Sequence, residues 1–336
     1  NHMSETTNTS AGGSGKSKKK WAKRLLIAAA GGVVLLGGLV LLTPTLLSTG
    51  AGKGFVLGKV NDQLNGRVEI GSWSLGWFSG LVVEDVKVYD DQKRLAVSMG
   101  RLSSEMTILR AASGNYDLGK TDIEGLNLVL VEVNKDGSTN LERIAKPSTT
   151  PASSSSQPGK IPDVRGVITI KSMTGTIQGE AVGSPIRIEP SDVVVKLASL
   201  AEKPVETDVN LAIRKGDGPV GTVKVAGTAQ AIFAGVVDPT KLAVDQQVTL
   251  SNLDLAVLRP ALAMAEVALD VGGSASGSVV AKLRGKTDVQ ASGGLTVTQL
   301  SAGGELLKGD TFRSEKLEVP IAVSTAGGVI KVERLG

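Results

Sequence analysis

Apolar and polar residues alternate with a period of two along most of this chain. Val86 and Val88 alternate with Asp85 and Lys87, Ile168 and Ile170 with Thr169 and Lys171, and Val205, Val209, Leu211 and Ile213 with Glu206, Asp208 and Asn210. The spacing returns at Val267, Leu269 and Val271, at Val279, Ala281 and Leu283, and at Leu317, Val319, Ile321 and Val323. Successive side chains of a strand point to opposite faces, so these runs predict antiparallel strands with one apolar and one wet face. Glycine pairs fall between or beside the runs at Gly216 and Gly218, Gly272 and Gly273, Gly293 and Gly294, Gly303 and Gly304, and Gly327 and Gly328, and predict hairpin turns. The fold class is mainly β: a long, twisted antiparallel sheet or groove with two short helices. About sixteen to eighteen strands at ~4.8 Å each would stack to roughly 80 Å.

Helical spacing is confined to three places. Val56, Val60 and Leu64 recur every fourth residue ahead of Gly66, which predicts a short amphipathic helix that covers the first open end of the β core or lies on a bilayer. Leu255, Leu258 and Leu262 predict a second, kinked or restarted at Pro260. The third is the uncharged stretch from Leu25 to Leu47, whose apolar residues include Leu25, Leu26, Ile27, Val33, Val34, Leu35, Leu36, Leu41 and Leu42. Roughly 20 apolar residues cover a ~30 Å hydrocarbon core as one helix, so this stretch is expected to anchor the chain. A cleavable signal peptide ending near Ser48 to Ala51 is the competing reading, but such apolar regions usually run only about 7 to 15 residues. Ala28 and Gly32 form a small-xxx-small pair suited to helix pairing in the membrane.

Charge sets the orientation of that anchor. Residues 1–24 hold six Lys and Arg against Glu5, a net of +5, whereas the whole chain is +4, which leaves −1 for the rest. Basic flanks stay cytoplasmic, so residues 1–24 are expected inside as a tail, disordered over the Ser-, Thr- and Gly-rich residues 4–15, and the bulk of the chain across the membrane. The basic balance therefore belongs to the membrane flank and does not point to nucleic acid. Aromatic residues at 3% leave few stacking platforms for a single strand.

Residues 147–162, rich in Pro, Ser and Thr, cannot pack and predict a linker between a first β segment at 52–146 and a second at 163–336. The absence of Cys excludes disulfides and thiolate metal sites. The only His is His2, and Asn1-His2 ahead of Met3 has the form of a cloning remnant, so a natural chain without His is expected. That removes His-based acid–base catalysis and His-ligated metals. No Gly-x-Ser-x-Gly elbow, His-Glu-x-x-His helix or P-loop is present, and Gly50-Ala51-Gly52-Lys53-Gly54 lacks the spacing of one. Asp85, Asp90 and Asp91 offer oxygen ligands for Ca²⁺ but without an ordered ligand set, and a solvated turn is the better account of them. The expectation is a non-catalytic protein without a cofactor.

Most strands carry aliphatic residues on one face only, and few aromatic residues exist to fill a sandwich. Such a face must close on itself or be covered by something else, and acyl chains are one candidate cover. The faces expected to line a lipid path are Leu126, Leu128 and Leu130, Val209, Leu211 and Ile213, and Leu317, Val319 and Ile321.

The run Leu64-Asn65-Gly66-Arg67-Val68-Glu69-Ile70-Gly71, followed by Gly80 to Asp90, resembles the N-terminal region of the AsmA-like family. Ile123 to Leu130 followed by Asp136-Gly137-Ser138-Thr139-Asn140-Leu141-Glu142-Arg143-Ile144 is similar to that family's next segments, as are Ile161 to Gly175 and Gly293 to Leu335. The order of these motifs behind a membrane anchor is what carries the resemblance. It implies a repeating β-groove with a greasy interior, reaching from the inner membrane into the periplasm. It further implies transport of phospholipid, or support of outer-membrane assembly, by a single-pass inner-membrane protein. Two function classes follow: a lipid-conducting groove, and an envelope scaffold acting through β edges, other envelope proteins or copies of itself. The implied partners are membrane lipids and the inner membrane, with no nucleic acid.

Overall fold

The structure, a computed structural model, describes residues 50–76, 79–131, 139–144, 160–180, 182–264, 267–285, 287–326 and 329–332. The expected tail and anchor, Leu25, Leu26, Ile27, Val33, Val34, Leu35, Leu36, Leu41 and Leu42 included, lie outside these residues. So does most of the 147–162 linker. Among the described residues no helix is long and apolar enough to cross a membrane.

The chain opens with helix α1 (Gly50–Asp62) and strands β1 (Arg67–Leu75), β2 (Leu81–Tyr89) and β3 (Leu95–Ser104). Helix α2 (Ile108–Ala112), β4 (Tyr116–Glu124), β5 (Asn127–Leu130) and helix α3 (Asn140–Ile144) follow. Beyond the linker come β6 (Val164–Ile177), β7 (Ile186–Leu197), β8 (Val205–Lys215) and β9 (Val220–Gln230), then the short strands β10 (Ile232–Phe233) and β11 (Val236–Val237). Strand β12 (Ala243–Asp254) leads through a 3₁₀ turn (Leu255–Leu258) into α4 (Arg259–Met264). Strands β13 (Asp270–Arg284), β14 (Asp288–Gly303), β15 (Phe312–Ala326) and β16 (Val329–Val332) are the last of the described elements.

Thirteen of these strands follow one another in a single sheet, in the order β1-β2-β3-β4-β6-β7-β8-β9-β12-β13-β14-β15-β16. Strand β5 pairs beside that path with β3 and β6, while β10 and β11 form a separate two-stranded hairpin. At ~4.8 Å per step the path extends about 60 Å, shorter than the strand count alone suggests because β5, β10 and β11 do not lengthen it. All neighbours are antiparallel except where β4 and β5 pair in parallel with β6. Parallel neighbours need a long crossover, which the connection carrying α3 and the linker supplies. The segments before and after the linker therefore share one sheet.

Two helices close the first end of this sheet. Leu57 and Val60 of α1, with Leu64 beyond it, pack with Leu141 of α3 against buried Val68, Val88, Ala96 and Ile144. This is the covering role expected for the leading helix. Asn61 also protects the edge strand: its Oδ1 accepts from the Val68 N–H at 2.7 Å and its Nδ2 donates to the Val68 carbonyl at 3.1 Å. An unpaired strand edge invites other chains, and the Asn61 amide takes the place of a neighbouring strand there. Gly66 does not cap the helix, which stops at Asp62. It passes so close to β2 that a Cβ would come within 2.1 Å of the Tyr89 carbonyl oxygen.

Asn140 locks α3 in place. Fully buried, it accepts from the Val131 N–H at 3.0 Å and donates to the Val129 carbonyl at 3.1 Å, satisfying backbone that β5 leaves unpaired. The turn between β2 and β3 is organised in the same way by Asp90. Its buried carboxylate accepts from the Gln92 and Arg94 N–H groups and pairs with the Arg94 guanidinium at 2.8 Å. Asp91 pairs instead with Arg143 at 3.2 Å. These carboxylates serve the turn and do not converge as a calcium ligand set.

Several expected elements are corrected. Among the described residues four short helices stand where two were expected, because five-residue helices such as α2 and α3 are too brief to leave a periodic signature. The helix expected at Leu255, Leu258 and Leu262 is divided into the 3₁₀ turn and α4, with the expected restart near Pro260. Val267 and Leu269 precede β13, which begins at Asp270. Gly272, Gly273, Gly293 and Gly294 lie within strands and form no turn. At Gly293 φ is +147° and a Cβ would meet the Ser278 carbonyl oxygen at 2.1 Å, so the strands can approach there only without a side chain.

Cleavage within Pro147 to Gly159 is therefore expected to leave two fragments that co-elute on size exclusion in native buffer and separate in denaturant, since β6 keeps its ladders to β4 and β5. Separation in native buffer would contradict the shared sheet.

Candidate functional site: an aliphatic sheet face

Register decides which side chains meet on each face. Following paired residues from strand to strand gives one row: Trp73, Val83, Leu102, Ile123, Ile170, Val193, Val209, Val225, Val248, Val279, Gly293 and Ile321. Except at Gly293, every position in it is apolar across twelve strands. A neighbouring row on the same face joins Leu211, Val223, Leu250, Gly277, Leu295 and Val319. A third carries Leu253, Ala275, Val297 and Leu317.

The opposite face is charged and paired. Glu84 meets Arg101 at 2.9 Å, Asp122 meets Lys171 at 3.3 Å, Lys196 meets Glu206 at 3.4 Å, Glu189 meets Arg214 at 3.0 Å and Lys316 meets Glu318 at 2.7 Å. Exposed pairs of this kind contribute only about 0–1 kcal/mol each, but they mark the side that water wets. A recess of about 310 Å³ bordered by Val194, Lys196, Glu206 and Asp208 lies on this polar side, away from the aliphatic rows.

All nine residues expected to line a path fall on the aliphatic face. Val209, Leu211 and Ile213 alternate inward along β8, and Leu317, Val319 and Ile321 do so along β15. Leu128 lies in register with Val97 and Gly175. Leu126 packs against buried Val83, Leu102 and Ile123, and Leu130 against Val182 and Ile186. The register thus brings the three groups together on one surface, although they are far apart in sequence.

The surface is closed at one end and open at the other. Val83, Leu102 and Ile123 are 3–8% exposed, whereas Val209, Val225, Val248, Val279 and Ile321 in the same row remain half-buried. No second layer covers the latter among the described residues, whereas Leu253, Ala275 and Val297 of the third row, beside the 3₁₀ turn, are buried. Along one rim of the open part Val182, on the turn before β7, packs with Ile186, Ile213 and Val257 of the 3₁₀ turn.

Several inward residues escape a period-two reading. The aliphatic positions step by three at Val83 to Val86, Ile170 to Met173, Leu250 to Leu253 and Val297 to Leu300. At the last three steps, strand pairing also shifts register. Asp85, Ser172, Asn252 and Gln299, one within each step, have φ between 47° and 53°. The last three are β-bulges: an extra residue lets the next side chain return to the same face and bends the strand. At Asp85 the two strands step together, Val83 and Val86 against Leu102 and Met99. The usable signal is an apolar i, i+3 pair enclosing Asp, Ser, Asn or Gln.

Chemically the face offers dispersion contacts and desolvation. Among the described residues no three His, Cys, Asp or Glu side chains gather as a metal site. The polar positions in the open rows include Thr207 and Gln246, which hydrogen-bond to each other at 3.2 Å across the side-chain gap left by Gly227. Comparison with protein-family models and with curated proteins finds no match to this chain.

Closed and open ends are expected to differ in their tolerance of charge. Leu102→Asp should cost on the order of 4 kcal/mol or more in urea unfolding, and Leu211→Asp about 2 kcal/mol less, because water reaches the second site. Equal losses would mean that the face is closed throughout.

Proposed function

We propose that this chain is a non-catalytic β-groove that takes acyl chains along its aliphatic face. The observation that carries the reading is the row from Val193 to Ile321: aliphatic except at Gly293, in register, half-buried, and without a covering layer among the described residues. Contiguous apolar patches beyond a few hundred Å² are uncommon on soluble monomers and mark sites that bind apolar partners. Acyl chains fit such a surface because they need no directional contacts, while polar head groups can stay in water at its margins.

The resemblance to the AsmA-like family and the basic step before Leu25 support the same reading. In it, Leu25–Leu47 holds the chain in the inner membrane, the β region stands in the periplasm, and the groove serves phospholipid transport or envelope biogenesis. Its length of about 60 Å suits a segment of a lipid path that partners or further copies extend.

An envelope scaffold acting through β edges is the second reading. The outer edge of β15 bears on it, since among the described residues β16 pairs only with Val323 to Ala326. Along the rest of that edge stand Arg313, Glu315, Lys316, Glu318 and Pro320, residue types that discourage strand addition. The edge therefore favours the groove.

Lipid retention tests the proposal. Full-length chain carrying Leu211→Asp, held in non-ionic amphipol, is expected to retain several-fold less phospholipid by mass spectrometry than the parent, with unchanged β circular dichroism. The outward-facing control Ala212→Asp is expected to retain the parental amount. Equal retention in both folded variants would refute the groove.

A further inference from the structure

Strand β8 sends Val205, Thr207, Val209, Leu211, Ile213 and Lys215 to the aliphatic face. Among the described strand residues on that face from β6 through β14, Lys215 is the only charged one. It lies in register with Ile186 and Ile177, at the rim sealed by Val182 and Val257. A lysine ending an aliphatic row has an apolar stem suited to the row and an ammonium suited to its margin.

A second cation stands at the same rim. Arg259 begins α4, and its guanidinium lies near the backbone of Gly183 in the turn that carries Val182. Its Nη2 pairs with Asp270 at 2.5 Å, while its Nε is buried without a hydrogen-bond partner among the described residues. Burial, and then the nearby Arg259 charge, push the Lys215 ammonium below its ordinary range, against the opposing pull of Asp254 and Asp270. Neither carboxylate is idle: Asp254 accepts from the Ala256 N–H at 2.8 Å, and Asp270 holds Arg259. Lys215 itself makes no ion pair among the described residues. What remains is a pair of incompletely satisfied cationic donors at the end of an apolar trough.

Resting on the groove reading, we infer that Lys215 and Arg259 form a binding site for a phosphate group, that of a lipid whose tails lie along the adjoining valine and leucine rows. A phosphate oxygen supplies the acceptor that Arg259 Nε lacks and the negative charge that Lys215 lacks, and charge-assisted bonds of this kind are about twice as strong as neutral ones. An uncharged head group can offer Arg259 an acceptor oxygen but brings Lys215 no negative charge. The site would thus fix one end of the ligand while the aliphatic rows accept tails without regard to position.

The test uses the full chain in non-ionic amphipol with three probes: dioleoyl phosphatidic acid, dioleoylglycerol and glycerol 3-phosphate. The parent chain is expected to retain the phosphatidic acid in preference to dioleoylglycerol. Lys215→Gln should lower phosphatidic acid binding about tenfold and leave dioleoylglycerol unchanged, and Lys215→Arg should restore it. If the parent holds both lipids equally, or if Lys215→Gln changes neither in a protein with parental circular dichroism, the phosphate site is wrong and the groove stands. If the parent holds neither lipid, the groove reading fails. Glycerol 3-phosphate then decides: binding that depends on Lys215 assigns the site to soluble phosphate esters, and no binding ends the proposal.

Discussion

Backbone pairing is the constraint on which the molecule depends. Every strand has two faces, and a one-residue slip would exchange them, so a sheet of this length stays apolar on one side only if register holds from strand to strand. Here it does so through the row from Trp73 to Ile321. Bulges at Ser172, Asn252 and Gln299 absorb extra residues without inverting the faces. The ion pairs on the far side support the same register, because Lys196 meets Glu206 only when Val193 meets Val209. The aliphatic face is therefore a product of pairing, assembled from residues that are distant in sequence.

A single sheet has no second layer of its own, and the two ends meet that deficit differently. At β1–β4 the helices α1 and α3 cover part of the face and the Asn61 and Asn140 amides satisfy its margins, giving residues as enclosed as Ala96 at 0% exposure. From β6 onward the same row stays half-exposed. Polar side chains are spent at the closed end to satisfy backbone, and nearly absent from the open face, where an unpaired polar group would oppose contact with hydrocarbon. The exception at the rim, Lys215 with Arg259, stands where a ligand's polar end would emerge.

Much of this was legible in the residues. Alternation placed Val209, Leu211 and Ile213 on one side of a strand because side chains repeat every two residues whatever the partner strand. It could not show that Val209 meets Val193 and Val225, because register is a relation between strands. Nor could it follow the face through Asn252 or Gln299, where the period breaks by one. Glycines such as Gly293 read as turns because turns and close strand approaches both need a missing Cβ. Asn140 gave no warning of its buried role, since a polar side chain that satisfies backbone looks like any other loop residue. Lys215 looked like the end of a strand, and only the placement of α4 brought Arg259 beside it.

The central claim is that hydrocarbon occupies the face bearing Val225 and Val279. Photo-crosslinking addresses it directly, with benzoylphenylalanine placed singly at Val225 or Val279 and, on the opposite face of the same strands, at Ala226 or Val280. Irradiation of the full chain with phospholipid is expected to give lipid adducts by mass spectrometry at the first two positions and none at the second two. Adducts distributed evenly over both faces, or absent from Val225 and Val279, would contradict the account.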